Sequence, residues 1–251
     1  MKPAIIKTTF IYLCLQACLL CAGILLSASC KKNASPTNDN SMTTVNNNKP
    51  DTTVKKYLAL GDSYTIGTSV NEADRYPVQT AAILQQEGIN VRTSIIATNG
   101  WTTGDLMNAI KNTTLTNDYD VVTLLIGVNN QYQGRTLDEY KEQFTWLLEK
   151  SIELAKGKPS HVIVLSIPDY SVTPFAKGRD VQQIAKEIDA FNAANKSIAD
   201  TYGAGYLYIT DESRKAASDL SLVAADNLHF SGKEYALWSY KLAPMIRPSM
   251  Q

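Results

Sequence analysis

Cysteine is nearly absent from this chain once its first two dozen residues are set aside. Cys14, Cys18 and Cys21 share one apolar run, and Cys30 is the only cysteine beyond it. With that run removed, the remaining chain has no pair of thiols and no internal disulfide. Histidine is almost as scarce. His161 and His229 are the only two, and no His-Glu-x-x-His or paired-cysteine pattern accompanies them, so a metal centre has little to build on and none is expected. Neither sign of charge dominates, with 24 basic and 24 acidic residues, and no run of five or six like charges appears. That excludes the electrostatic footprint of a nucleic-acid-binding protein. Gly61 and Gly67 flank Ser63, but no Gly-Lys-Ser/Thr and no full Gly-x-Gly-x-x-Gly follows, which argues against a nucleotide site. No cofactor is expected. What remains is ordinary globular material, 44% hydrophobic and 19% charged over 251 residues, with room for one large domain.

The amino terminus reads as a targeting segment. Lys2 and Lys7 form a basic start, Phe10 to Leu26 is mostly apolar, and Ser27-Ala28-Ser29 before Cys30 is a small-residue processing site. Residues 1–29 carry two lysines and no acids, so their removal leaves a slightly acidic chain. A lone cysteine at that point, followed by Lys31-Lys32 and a polar tract, resembles the lipidated cysteine of a bacterial lipoprotein. Leu is the usual residue three places before such a cysteine, where this chain has Ser27. A plain secretory signal and an uncleaved membrane anchor are the competing readings. Residues 30–53 are rich in Asn, Asp, Ser and Thr and too poor in apolar side chains to offset ordering entropy, which predicts a flexible tether. The folded domain is expected over residues 54–251, as a monomer in a cell envelope, membrane-anchored at Cys30, or else secreted.

From Val54 onward, strand-like and helix-like segments alternate. Lys56 to Leu60, Val91 to Ile96, Asp120 to Ile126, Val162 to Ile167 and Tyr206 to Ile209 read as strands. Tyr76 to Gln86, Thr103 to Ile110, 137 to about 155, Val181 to Tyr202 and a last segment ending before Pro248 read as helices. Thr136-x-x-Glu139 and Ser231-x-x-Glu234 are capping-box patterns at two of the helix starts. The continuous apolar run from Val121 to Ile126 suits a parallel strand covered on both faces. Strict alternation predicts an α/β fold of three layers, a mostly parallel, doubly wound five-stranded sheet with helices on both sides. Such sheets bind ligands outside the carboxyl ends of their strands.

Four short segments fall at that edge: Gly61-Asp62-Ser63-Tyr64, Asn99-Gly100, Gly127-Val128-Asn129-Asn130 and Asp226-Asn227-Leu228-His229. A serine hydroxyl is a poor nucleophile until a neighbouring base takes its proton. Of the two histidines, His161 opens a strand at the opposite end of the sheet, which leaves His229 as that base. Asp226 is close enough for a turn to bring its carboxylate to one imidazole nitrogen while the other faces Ser63; Asp169 and Asp211 are the alternatives. Gly100 offers a backbone N–H that no side chain obstructs, and Asn129 a side-chain amide, as donors for a developing oxyanion. Each also has a plainer reading, Asp226 and Gly100 as turn formers and Asn129 as a loop brace.

In order and spacing the four segments resemble the four blocks of the SGNH/GDSL hydrolases, over roughly residues 55 to 247. The resemblance implies the flavodoxin-like SGNH fold and hydrolysis of carboxylic esters through an acyl-serine. In that scheme Ser63 is nucleophile and one oxyanion donor, Gly100 and Asn129 are the other donors, His229 is the base and Asp226 its partner. Tyr64 stands where Leu is commoner, and Asn130 where Asp is usual, a change that bears on support of the loop. Trp101, Tyr132, Tyr170, Phe175 and Phe230 lie at the same edge, either to stack on sugars and line an acyl pocket or simply to cover the sheet. The long loop from Pro168 to Asp180 is a lid or a wall. An envelope location suits small esters, acylated glycans or lipid esters as substrates.

Overall fold

Parallel pairing sets the architecture: five strands lie in the spatial order Val91–Ala97, Lys55–Gly61, Val121–Leu125, Val162–Leu165, Gly205–Leu207, and every neighbouring pair is parallel. The computed structural model describes residues 53–251, all in one unit, Asn48–Gln251. The expected signal segment, the tether and Cys30 lie outside the described residues. The strands are β1 (Lys55–Gly61), β2 (Val91–Ala97), β3 (Val121–Leu125), β4 (Val162–Leu165) and β5 (Gly205–Leu207). The helices are α1 (Ser63–Ile66), α2 (Tyr76–Gln86), α3 (Thr103–Lys111), α4 (Val128–Tyr132), α5 (Leu137–Leu154), α6 (Val181–Tyr202), α7 (Thr210–Arg214) and α8 (Gly232–Ile246).

The order of the strands reverses at β1, so right-handed crossovers place helices on both faces. α8 returns from beyond β5 to pack on α2, while α5 packs between α3 and α6. Tyr57, Leu58, Ala59 and Leu60 in β1 and all of β3 are buried, as strands covered on both sides must be. No helix among the described residues is long and apolar enough to cross a membrane.

The alternation read from sequence holds, and the sheet is wholly parallel. The differences are local. α1, α4 and α7 are four or five residues long, too short to show a periodicity, and each follows a strand directly or nearly so. The two expected capping boxes are only half made: Thr136 accepts from the Glu139 amide at 3.1 Å and Ser231 from the Glu234 amide at 3.4 Å. The Glu234 carboxylate turns instead to Trp238 Nε1, at 2.6 Å. The reciprocal box is at Thr102 and Asp105, opening α3.

Candidate active site

β1 delivers Ser63. Its last residue, Gly61, has no room for a side chain: a Cβ there would lie 2.1 Å from Thr65 Oγ1 and 2.4 Å from the Leu125 carbonyl. Only glycine lets the chain turn this tightly beside β3. Asp62 then caps α1, its Oδ1 accepting from the Tyr64 amide at 3.0 Å. The other carboxylate oxygen, Oδ2, is buried without a partner, and burial pushes the Asp62 carboxyl up to about 7 against the pull of backbone amides. Ser63 is the first residue of α1, where helical geometry leaves the N–H without an internal acceptor. Its Oγ makes no hydrogen bond to any described residue and lines a cleft at the carboxyl end of the sheet.

His229 reaches the same cleft from the loop before α8. Within that loop the Ala224 amide donates to the His229 carbonyl at 2.8 Å, and Asn227 takes a left-handed conformation, φ 64°, that asparagine tolerates. Asp226 Oδ1 accepts from the Leu228 and His229 amides at 3.0 and 2.9 Å. Its Oδ2 lies 2.6 Å from His229 Nδ1 and accepts from Ser69 Oγ at 2.6 Å. Partial burial works against ionisation, but these bonds more than offset it and hold the Asp226 carboxyl well below the usual carboxylate range. A carboxylate on Nδ1 makes that nitrogen the donor, so Nε2, which has no hydrogen bond to any described residue, is the basic atom. Tyr64 meets the imidazole edge-on, with ring centroids 5.6 Å apart, and holds its plane.

Gly100 follows β2 with φ 83°. A Cβ there would meet nothing within 4 Å, so the demand for glycine comes from the left-handed turn rather than from crowding. Asn99, not singled out from sequence, is the residue of this segment that lines the cleft. Asn129 sits in α4, which follows β3 after Gly127, and also lines the cleft. Its Nδ2 donates to the Trp101 carbonyl at 2.9 Å, which braces the amide and ties it to the Asn99-Gly100 turn. The neighbouring Asn130 is fully buried. Its Oδ1 accepts from the Thr103 amide at 2.9 Å and its Nδ2 donates to Thr103 Oγ1 at 2.7 Å, while that hydroxyl donates on to Gln143 Oε1. The Gln143 acceptor is what allows an asparagine to brace this loop.

The cleft encloses about 150 Å³. Its apolar wall is Val128, Tyr132, Tyr170, Phe175 and Leu228, with the three aromatic rings 6.2 to 6.3 Å apart. Arg179 lies over Phe175 at 4.6 Å and Tyr132 at 5.4 Å, worth about 0.5–1 kcal/mol at so exposed a position. Phe230 does not reach this wall: it is buried against Tyr64 and Trp238. Tyr170 and Phe175 of the loop 168–180 line the cleft; the loop folds into two short 3-10 turns, and the Phe175 amide donates to the Asn227 carbonyl at 3.0 Å.

Neither alternative acid bonds the histidine. Asp169 is buried in an ion pair with Arg214, 2.9 Å from its Nε, and Asp211 is exposed. His161 lies at the amino end of β4, with Nδ1 2.7 Å from the Asp120 carbonyl. No group of three or more His, Cys, Asp or Glu among the described residues is arranged to hold a metal ion. One cleft thus collects a serine hydroxyl, a carboxylate-bound imidazole and an amide side chain, groups suited to acyl transfer.

Residues 59–237 match the model of the GDSL-like Lipase/Acylhydrolase family. Solved structures of similar fold include a lipase/acylhydrolase from Enterococcus faecalis, at 19% identity and a TM-score of 0.61 over 78% of this chain and 97% of that one. An acetylxylan esterase from Geobacillus stearothermophilus is 20% identical, with a TM-score of 0.57 over 78% and 94% of the two chains. A psychrotrophic esterase from Pseudoalteromonas sp. is 16% identical, with a TM-score of 0.57 over 77% and 97%. No curated protein matches the chain by sequence.

Proposed function

The chain belongs to the GDSL-like lipase/acylhydrolase family and is a carboxylic ester hydrolase, and from that premise we propose that it is a serine esterase specific for short acyl groups on glycan or other envelope esters. The observation that carries the mechanism is the pairing at His229: Nδ1 is held by Asp226 at 2.6 Å, and Nε2 shares a cleft with Ser63 Oγ, neither atom bonded to another described residue. Ser63 Oγ attacks the ester carbonyl as His229 Nε2 takes its proton. The tetrahedral oxyanion is held by the Ser63 and Gly100 amides and the Asn129 side chain. Collapse expels the alcohol, which takes the proton from His229. Water activated by the same nitrogen then attacks the acyl-serine and frees the acid.

Cleft size supports the short acyl group. A cleft of roughly 150 Å³ is about the size that takes one benzene ring, so an acetyl or butyryl group fits beside the reacting carbon. The open face of Tyr132, half exposed, suits stacking against the ring of a sugar alcohol. Anchoring of a lipidated Cys30 in an envelope membrane belongs to the same proposal, and incorporation of labelled fatty acid that Cys30→Ser abolishes is its test. For the mechanism, Ser63→Ala and His229→Ala should each abolish hydrolysis of p-nitrophenyl acetate with the far-UV spectrum unchanged. Activity retained in either variant rejects it.

A further inference from the structure

Ser69 is the one non-glycine residue of the segment after Ser63 in a left-handed conformation, φ 67°, and serine gains nothing from that geometry. The turn that holds it there is anchored on the nucleophile itself: the Gly67 and Thr68 amides both donate to the Ser63 carbonyl at 3.0 Å. From that strained position the Ser69 hydroxyl crosses 157 residues of sequence to donate to Asp226 Oδ2 at 2.6 Å, the same oxygen that faces His229 Nδ1. Among the described residues it is the only hydrogen bond between segment 61–70 and segment 223–231. Strain retained at a polar contact with a reacting group points to a role for that contact.

We propose that Ser69 is a positioning residue of the esterase, its hydroxyl fixing the Asp226 carboxylate and thereby the distance between the turn that bears Ser63 and the loop that bears His229. The role rests on the serine-esterase reading above. Asp226 Oδ1 is already fixed by two backbone amides; Ser69 settles the remaining rotation, which aims Oδ2 at the imidazole. The Ser69 and His229 bonds, both 2.6 Å, end on this same oxygen and favour the carboxylate over its acid. The interaction is charge-assisted, hence among the stronger hydrogen bonds a hydroxyl makes.

Two substitutions separate this role from loop stability, because they uncouple stability from activity. Ser69→Gly removes the hydroxyl and relieves the positive φ; Ser69→Thr keeps the hydroxyl and adds β-branching where φ is least tolerant of it. With p-nitrophenyl acetate and the full chain, Ser69→Gly should melt close to the parent temperature, the relieved φ offsetting the lost bond, yet lose about ten-fold in kcat, with KM within about two-fold. Ser69→Thr should melt lower yet keep kcat within about three-fold. Full kcat in Ser69→Gly, or kcat that simply follows melting temperature through the two variants, overturns the proposal. Should Ser69→Thr not fold, kcat of Ser69→Gly decides alone. The parent and Ser63→Ala, run in parallel, test the underlying reading separately: a parent that fails to hydrolyse the ester, or a Ser63→Ala that still does, overturns the esterase mechanism and this role with it.

Discussion

His229 shows how much a single hydrogen bond decides. Asp226 on Nδ1 leaves the lone pair on Nε2, facing the cleft. Asp226→Asn keeps the acceptor for the two backbone amides but turns an NH₂ toward Nδ1, which then must be the unprotonated nitrogen. Nε2 becomes a donor, and turnover should fall by about 10⁴ in steady-state kinetics. Asn129→Ala removes one oxyanion donor and should cost about 10² to 10³ in kcat. Both residues were given roles from the sequence because four segments agree in order and spacing, with Asn129 just past a strand and Asp226 three residues before His229. Ser69 and Asn99 were not. Serine and asparagine are common in loops, and what distinguishes these two is a contact or an exposure that only the folded chain creates. Gly100 was singled out for an unobstructed backbone N–H, and its φ of 83° adds a second demand for glycine that only the folded chain reveals.

The short helices α1 and α4 carry Ser63 and Asn129, and their brevity hid them from any periodicity argument. Placing these residues just beyond strand ends was still correct in outline, since both helices follow β1 and β3 within a few residues. α4 is fixed to α3 by Asn130, which bonds both the amide and the hydroxyl of Thr103. Asn130→Ala would strip the first turn of α3 of this acceptor and leave a void in a fully buried site, a loss of about 1–2 kcal/mol read from urea unfolding. Asn130→Asp should be tolerated far better, because Oδ1 still accepts from the Thr103 amide and the hydroxyl can swing from Gln143 to the new carboxylate, beside the positive end of α3. The aromatic wall behaves as one element as well. Tyr132→Ala opens it, and the ratio of butyrate to acetate hydrolysis should rise by a few-fold.

At the scale of the whole molecule, the alternating pattern was enough to read a doubly wound sheet, because continuous apolar runs such as β3 admit few other structures. The sequence could not reveal which carboxyls the fold would bury. Asp62 and Glu234 each keep one oxygen in the interior without a partner, and burial pushes both up to about 7. A carboxyl whose folded value lies above its unfolded one binds protons more tightly when folded, so its contribution to stability is full near pH 4 and is lost as pH rises toward 7. Glu234→Gln, which keeps the acceptor for Trp238, should therefore gain stability relative to the parent over that window, by the order of 2 kcal/mol, seen in denaturant midpoints at pH 4.5 and 7.5. The sheet itself has one consequence that outweighs these. It brings a serine near the start of the domain and a histidine near its end to one cleft, and the esterase mechanism depends on their cooperation there. Labelling with a fluorophosphonate followed by peptide mass spectrometry tests this most directly: a single adduct on Ser63, absent from His229→Ala, is the predicted result, whereas no adduct, or an adduct on another serine, would contradict it.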